Sequence, residues 1–185
     1  MADIFSVTKR SEIMSRIRSV GTTPERRLYL LVRETLGARW RIDLNARALP
    51  GQPDVFIPSL HLVLFADGCF YHGCPRHGHR PKSNRKYWLP KLARNQKRDL
   101  ANRKALRAMG CMVWAFWEHE LRGKELEKTR RSITRRIGEL LKQKRREEKG
   151  GRKRVSGTVL CPRRSTPARW APPRLIPRRL ENPQG

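Results

Sequence analysis

An unbroken apolar run, Leu62 to Ala66, leads into a loop holding two cysteines and three histidines within eleven residues, Cys69 to His79. The two parts impose different constraints. The segment His61 to Ala66, with its continuous apolar run, predicts a strand buried on both faces, as at the centre of a sheet. The loop, Asp67 to Arg80, is too polar and too rich in glycine to be held by packing. Thiolate and imidazole are preferred donors for tetrahedral zinc. Cys69, Cys74 and His77 have loop spacing with glycines between them, and a fourth ligand must come from elsewhere. His119 is the best candidate, just past a strand predicted over Cys111 to Phe116. If that strand lies beside the first, both ends meet at one place. Cys111 is the weaker candidate, because it sits at the opposite end of its strand and faces the core. A closed set of two cysteines and two histidines has no open position, so its zinc would be structural. The plainer reading is ordinary buried thiols and surface histidines. Five histidines in 185 residues is a normal count, but three of them beside two cysteines is not.

Around this loop the pattern is mixed α and β. Ile13, Met14, Ile17 and Val20 have helical spacing, with Ser11 as a cap. Thr22-Thr23-Pro24-Glu25 starts a second helix, with a Thr N-cap, Pro24 at the first position and an acid in the first turn. Leu28, Leu31, Val32 and Leu36 form its buried face, and Gly37 ends it. Trp40 to Ile42 suggests a short strand. Asp54 to Ile57 reads as another, closed by Pro58. Ser83 to Met109 is helical, with Pro90 beginning the main segment or kinking it. Cys111 to Phe116 reads as a strand of the buried kind. A last helix, from about Lys124 to Glu148, turns Leu126, Ile133, Ile137, Leu140 and Leu141 inward. The fold class expected is α/β, a small mixed central sheet flanked by helices.

Charge narrows the partners. Lys and Arg number 43 against 16 acids, a net charge of +27. Such a chain suits a polyanion, most often nucleic acid, with an anionic membrane surface as the other option. No apolar stretch approaches the ~18 residues of a membrane helix. Met1 to Arg10 has no apolar core of a secretory signal, so the cytosol is expected. There the four cysteines read as thiols or metal ligands rather than a disulfide framework. Composition shifts near Lys149. Six of the thirteen prolines, ten basic residues and one acid fall in residues 149–185. Hydrophobic periodicity is absent there, so a basic, proline-rich, disordered tail is expected after a folded domain of residues 1–148. It is a solvated tail or a non-specific nucleic-acid arm.

Few acids sit among so many bases, so each one near the loop matters. Asp54 follows Pro53 and opens a strand, at the sheet edge where α/β sites gather. A carboxylate there, with a backbone carbonyl, could hold magnesium, a hard ion that reaches phosphate. Glu25 would by itself complement a helix dipole, and Asp99 would pair with Arg103 four residues on. His72 lies between two proposed ligand cysteines, so a zinc loop would fix it, and an imidazole near phosphate can move protons at neutral pH. Phe70, Tyr71, Tyr87 and Trp88 lie among basic residues. They suit base stacking or wedging into a duplex, and equally packing over the loop. Met14 has the same two readings, with core packing favoured by spacing.

Five segments taken in order resemble the very-short-patch mismatch repair (Vsr) endonucleases. They are Leu49 to Asp54, Phe65 to Pro75, Tyr87-Trp88, Asn95 to Asp99 and Val113 to Gly123, and the similarity spans about residues 9–145. The resemblance implies a restriction-endonuclease-like fold with a structural zinc. It implies nicking of one strand 5′ to the thymine of a T:G mismatch left by 5-methylcytosine deamination, by magnesium-dependent hydrolysis, which starts very short patch repair. By that similarity Asp54 and the backbone carbonyl of Ala66 would hold magnesium, and His72 would be the general acid/base. Glu25 and Asp99 would be supporting acids. Zinc would take Cys69, Cys74, His77 and His119. Phe70, Tyr71 and Trp88 would enter the duplex from the major groove, and Met14 from the minor groove. Ala66 stands where some members have Thr, Tyr71 where Trp is usual, and His119 where Cys is usual. A backbone-carbonyl role, an aromatic wedge and a zinc ligand each survive these changes. Residues 149–185 have no counterpart. The expected partners are double-stranded DNA with a T:G mismatch, mismatch-repair proteins and a cytosine methyltransferase of the same bacterial cell, and no membrane. A monomer in the cytoplasm, on the nucleoid when bound to DNA, is expected. Two rivals remain: a restriction-type endonuclease of the same fold, and a non-catalytic zinc-containing DNA-binding protein. Pure binding would not require Asp54 with His72.

Overall fold

The computed structural model describes residues 8–9, 12, 21–78, 81 and 84–150. The helix expected around Ile13, Met14, Ile17 and Val20, its cap Ser11, His79, and the tail beyond residue 150 lie outside the described residues.

Helix α1 (Thr23–Leu36) starts after Thr22 with Pro24 in its first turn, where a missing N–H costs nothing. Its 3.6-residue period puts Leu28, Leu31, Val32 and Leu36 on one buried face, and Gly37 ends it with φ +77°. Strand β1 (Asp43–Leu44) pairs antiparallel with β2 (Val55–Ile57). The strand expected over Trp40 to Ile42 therefore falls one step later. Its two residues face β2 as Asp43 opposite Phe56 and Leu44 opposite Val55, and after Ile57 the chain turns at Pro58 into a 3-10 helix, Pro58–Leu60. Trp40 and Ile42 pack against the core as half-buried side chains instead.

β2 pairs antiparallel with β3 (Leu62–Asp67), and β3 pairs parallel with β4 (Met112–Trp117). Strand order is β1-β2-β3-β4. The apolar run is thus central, as expected, and Leu62, Val63 and Leu64 have no exposed surface. β4 corrects the sequence reading. Among the described residues it is an edge strand: Trp114 and Phe116 are buried while Met112 and Ala115 are exposed. Apolar composition alone does not say whether a further strand covers the outer side.

Parallel strands need a crossover, and here it comprises the loop and helix α2 (Arg85–Ala108). α2 runs through Pro90 rather than beginning there. Helix α3 (Glu125–Gly150) follows β4 and a 3-10 helix, Glu118–Leu121. It ends just inside the segment assigned to the tail. Strand alternation gives the sheet two unequal faces. Leu28 and Val32 of α1, Leu62 and Leu64 of β3, and Ile133 and Ile137 of α3 share the main core. Each such side chain contributes roughly 1.5–3 kcal/mol by leaving water. The opposite face holds a smaller cluster of Leu49, Phe56, Val63, Leu106 and Cys111. No described helix is long and apolar enough to cross a membrane.

Candidate functional site

The antiparallel register brings the residue before β2 beside the end of β3. Val55 lies opposite Leu64, which places Asp54 near Ala66, and the Ala66 N–H donates to Asp54 Oδ2 at 2.7 Å. The turn on the other side is fixed by Asn45 and Ala46 N–H groups, which donate to the carbonyls of Asp54 and Pro53, each at 3.1 Å. Asp54 opens into a cleft of about 700 Å3, whose lining includes Glu25, Asp67, His72, Asp99 and Arg103. Burial pushes the Asp54 carboxyl up to about 7, and the charges of Glu25 and Asp67 add to this. The Ala66 hydrogen bond and His72 oppose it. A carboxylate crowded by acids favours a cation, which is the fit expected of a divalent-metal ligand.

Glu25 is tied to its own helix start. Its two carboxylate oxygens accept from the Gly21 N–H at 2.7 Å and the Thr22 hydroxyl at 2.8 Å. The same residue lines the cleft, so a hold on the turn before α1 and a place at the site coexist.

His72 Nδ1 lies 2.5 Å from Asp99 Oδ2. An ionised carboxylate only accepts, so Nδ1 carries the proton. Burial alone would lower the His72 pKa. The Asp99 hydrogen bond and the charges of Asp67 and Asp99 outweigh it, and the imidazole ends above its ordinary value. Burial likewise disfavours the Asp99 anion, yet the hydrogen bond and charge of His72, with Arg98 and Arg103, hold it below the usual carboxylate range. The pairing of Asp99 with Arg103 is not what forms. Arg103 Nη2 instead bonds Asp67 Oδ2, and Asp67, the last residue of β3, is buried. Sequence reasoning missed this pair. Its only signal was an acid closing an otherwise apolar strand, with an arginine one helical turn after Asp99.

One face of α2 presents Asn95, Gln96, Asp99, Asn102 and Arg103. Asn95 Nδ2 donates to the Tyr71 carbonyl at 3.2 Å. Gly73 has φ +71°, and a Cβ added there would stand 1.8 Å from Gln96 Nε2. The loop thus turns against α2 at a left-handed position that favours glycine, with the Gln96 amide close over it.

The other half of the loop builds a second centre. β3 and β4 run parallel with Asp67 opposite Trp117, so the residues just past each strand are neighbours. Cys69, Cys74, His77 and His119 each offer a ligand atom, all within 4.8 Å of one another. His119 Nδ1 is 3.3 Å from Cys69 Sγ and 3.6 Å from Cys74 Sγ, and His77 Nδ1 is 3.9 Å from Cys74 Sγ. A tetrahedron with bonds of about 2.0 Å to nitrogen and 2.3 Å to sulfur has edges of roughly 3.3–3.8 Å. The set fits a tetrahedral metal. Cys111 belongs to the smaller core cluster instead.

Phe70, Tyr71 and Trp88 pack on one another, with ring centroids 5.0 to 6.2 Å apart. Tyr87 joins them edge-on to Trp88 at 5.2 Å. Lys91 Nζ lies over both Tyr87 and Trp88. All three clustered rings stay half-buried, so packing over the loop and a surface for partners coexist. Met14 and His79 fall outside the described residues.

Comparison with known proteins gives a consistent picture. The profile of the family described as DNA mismatch endonuclease Vsr matches residues 2–78. The chain is 42% identical over 123 residues to the type II nicking enzyme V.XorIIP of Xanthomonas oryzae pv. oryzae, covering 65% of this chain and 88% of that relative. Identity to the type II nicking enzyme V.NmeAIP of Neisseria meningitidis is 40% over 131 residues, 68% and 89% of the two chains. Identity to the DNA mismatch endonuclease Vsr of Escherichia coli is 33% over 144 residues, 75% and 87% of the two chains.

Proposed function

The chain belongs to the Vsr family of DNA mismatch endonucleases, and from that premise we propose that it nicks one strand of duplex DNA 5′ to the thymine of a T:G mismatch. The mismatch would be the one left by deamination of 5-methylcytosine, and the reaction a magnesium-dependent phosphodiester hydrolysis on a restriction-endonuclease-like fold. The observation that carries this reading is the shared cleft of Asp54 and His72, each with its orientation set by a separate hydrogen bond. A binding protein has no use for that arrangement.

Asp54 and the Ala66 carbonyl would hold magnesium, which when bound supplies Lewis-acid stabilisation of charge on the scissile phosphate. Asp54 offers the carboxylate, and the Ala66 amide keeps it from rotating. His72 moves the proton through the ring nitrogen that Asp99 leaves available, Nε2. Glu25 adds negative charge at the cleft wall. Cys69, Cys74, His77 and His119 would hold zinc as a structural ion, since four protein ligands leave no position for substrate. The zinc loop then carries His72 between two of its ligands. Phe70, Tyr71 and Trp88 would enter the duplex from the major groove, and Met14 from the minor groove. Residues 1–148 would form the endonuclease domain, and 149–185 a basic arm. The protein would act as a monomer in the cytoplasm, alongside mismatch-repair proteins and a cytosine methyltransferase.

Two strand-labelled duplexes, one with a T:G mismatch and one fully matched, test the proposal when incubated with magnesium and the protein. A nick confined to the thymine strand of the mismatched duplex is expected. Cleavage of both strands of the matched duplex would instead identify a restriction-type enzyme. No cleavage of either duplex would leave a zinc-containing binder.

A further inference from the structure

The imidazole of His72 has more around it than one carboxylate. Its Nδ1 is 2.5 Å from Asp99 Oδ2 and 3.9 Å from Asp67 Oδ1. Asp67 is 4% exposed, and its backbone is fixed by the β3–β4 ladder opposite Trp117. A buried carboxylate so placed would compete with Asp99 for the Nδ1 proton if both its oxygens were open. Arg103 takes Oδ2, so Asp67 faces the imidazole with Oδ1 as a longer-range anion. Asp99 and Arg103 stand four residues apart on α2, hence on one helical face. That face gives an anion to the ring and a cation to the strand's anion. The Arg103 guanidinium also lies 5.7 Å from the centroid of the Phe65 ring, which limits its own freedom.

We propose that the Asp67–Arg103 ion pair is a second positioning device for His72, acting beside Asp99 to hold the Nε2 edge of the imidazole toward the scissile phosphate. The proposal rests on the reading of His72 as the proton-transfer group. Neither Asp67 nor Arg103 moves a proton in this scheme. Two anions on the Nδ1 side select one tautomer and one ring face, while the flanking loop, with Gly68 and Gly73, would by itself allow several. Asp99 supplies the hydrogen bond. Asp67 discourages the ring from flipping, and Arg103 keeps Asp67 from taking over the hydrogen bond. An alternative role for Arg103, direct contact with a DNA phosphate, predicts a different signature.

The test uses the full-length, zinc-loaded protein and a T:G duplex, with single-turnover nicking rates and duplex Kd measured separately. Arg103→Met should lower the rate at saturating DNA by about tenfold or more while changing Kd by less than about threefold. Arg103→Lys, which keeps the charge, should recover part of that loss. The double variant Asp67→Asn/Arg103→Met should be no slower than the poorer single variant, because the two side chains act as a unit. Should Arg103→Met lose its zinc, Asp67→Asn keeps the side-chain shape and decides on the same rate-against-Kd criterion. A weaker Kd with an unchanged saturated rate would overturn the proposal and make Arg103 a phosphate ligand. Unchanged rate and Kd in both single variants would overturn it outright. His72→Ala separates the two readings: if it nicks normally, the role of His72 fails, whereas an inactive His72→Ala with a normal Arg103→Met defeats only the positioning device.

Discussion

Helices α2 and α3 are of similar length, 24 and 26 residues, yet different physics attaches them to the sheet. α3 lays Ile133 and Ile137 at 0% exposure into the main core, with Leu126, Leu140 and Leu141 packed beside them. α2 buries one residue, Leu106; beyond it, the half-buried Trp88 ring leans on Phe70 and Tyr71, and polar side chains grip the loop and the cleft. Apolar contact tolerates sliding but is costly to remove. Polar contact fixes direction and contributes little net stability per bond. On the proposed reading one helix serves folding and the other the alignment of reacting groups, and substitutions on the two should separate stability from rate.

The largest effect is expected at Asp54. Asp54→Asn should reduce nicking below detection with zinc content intact. It should also stabilise the magnesium-free protein at neutral pH. The folded-state pKa of Asp54, about 7, lies above the unfolded value near 4, so the unfolded chain loses this proton first. The group's contribution to stability then falls as pH rises from about 4 to about 7. Melting curves should show the variant above the parent at pH 8, with the gap closing near pH 4. An equal melting temperature at both values would contradict the burial of that charge.

His72→Ala comes next, with a rate loss of about 10²–10⁴-fold, the usual worth of a positioned acid or base, and duplex binding retained in a gel-shift assay. On the apolar side, Ile137→Ala should cost about 2–5 kcal/mol in urea unfolding while the rate per folded molecule stays the same. A fall in that rate would erase the proposed division of labour. The smallest effect belongs to Asn95→Ala, which removes one hydrogen bond to the Tyr71 carbonyl. A loss of about 0.5–1.5 kcal/mol is expected in the same unfolding experiment, and a modest slowing of the nicking step would place the loop under the control of α2.

Much of this is legible in the amino-acid sequence alone. The apolar run Leu62 to Ala66 announces a central strand because nothing else hides five such side chains in succession. Thr22, Pro24 and Gly37 mark both ends of α1. Ligand types and loop spacing point to a metal centre, and a parallel neighbour to the central strand is enough to bring His119 to it. Other features depend on relations that one segment does not encode. β4 has the composition of a buried strand, and its edge position depends on what is missing beside it. β1 lies at Asp43–Leu44 because the register against β2 decides which residues pair, and the local pattern of Trp40 to Ile42 does not carry that register. The Asp67–Arg103 pair joins a strand end to a helix 36 residues later. Which arginine of a basic helix reaches it depends on the rotation of α2 about its axis.

The tether on Asp54 comes from a main-chain amide, that of Ala66. Every amino acid except proline brings that N–H with it. The residue identity at position 66 is therefore free to drift among alanine, threonine or serine without slackening the acid. A proline there would cut the string, and among side chains small enough for this half-buried position beside the core it is the one that should be forbidden.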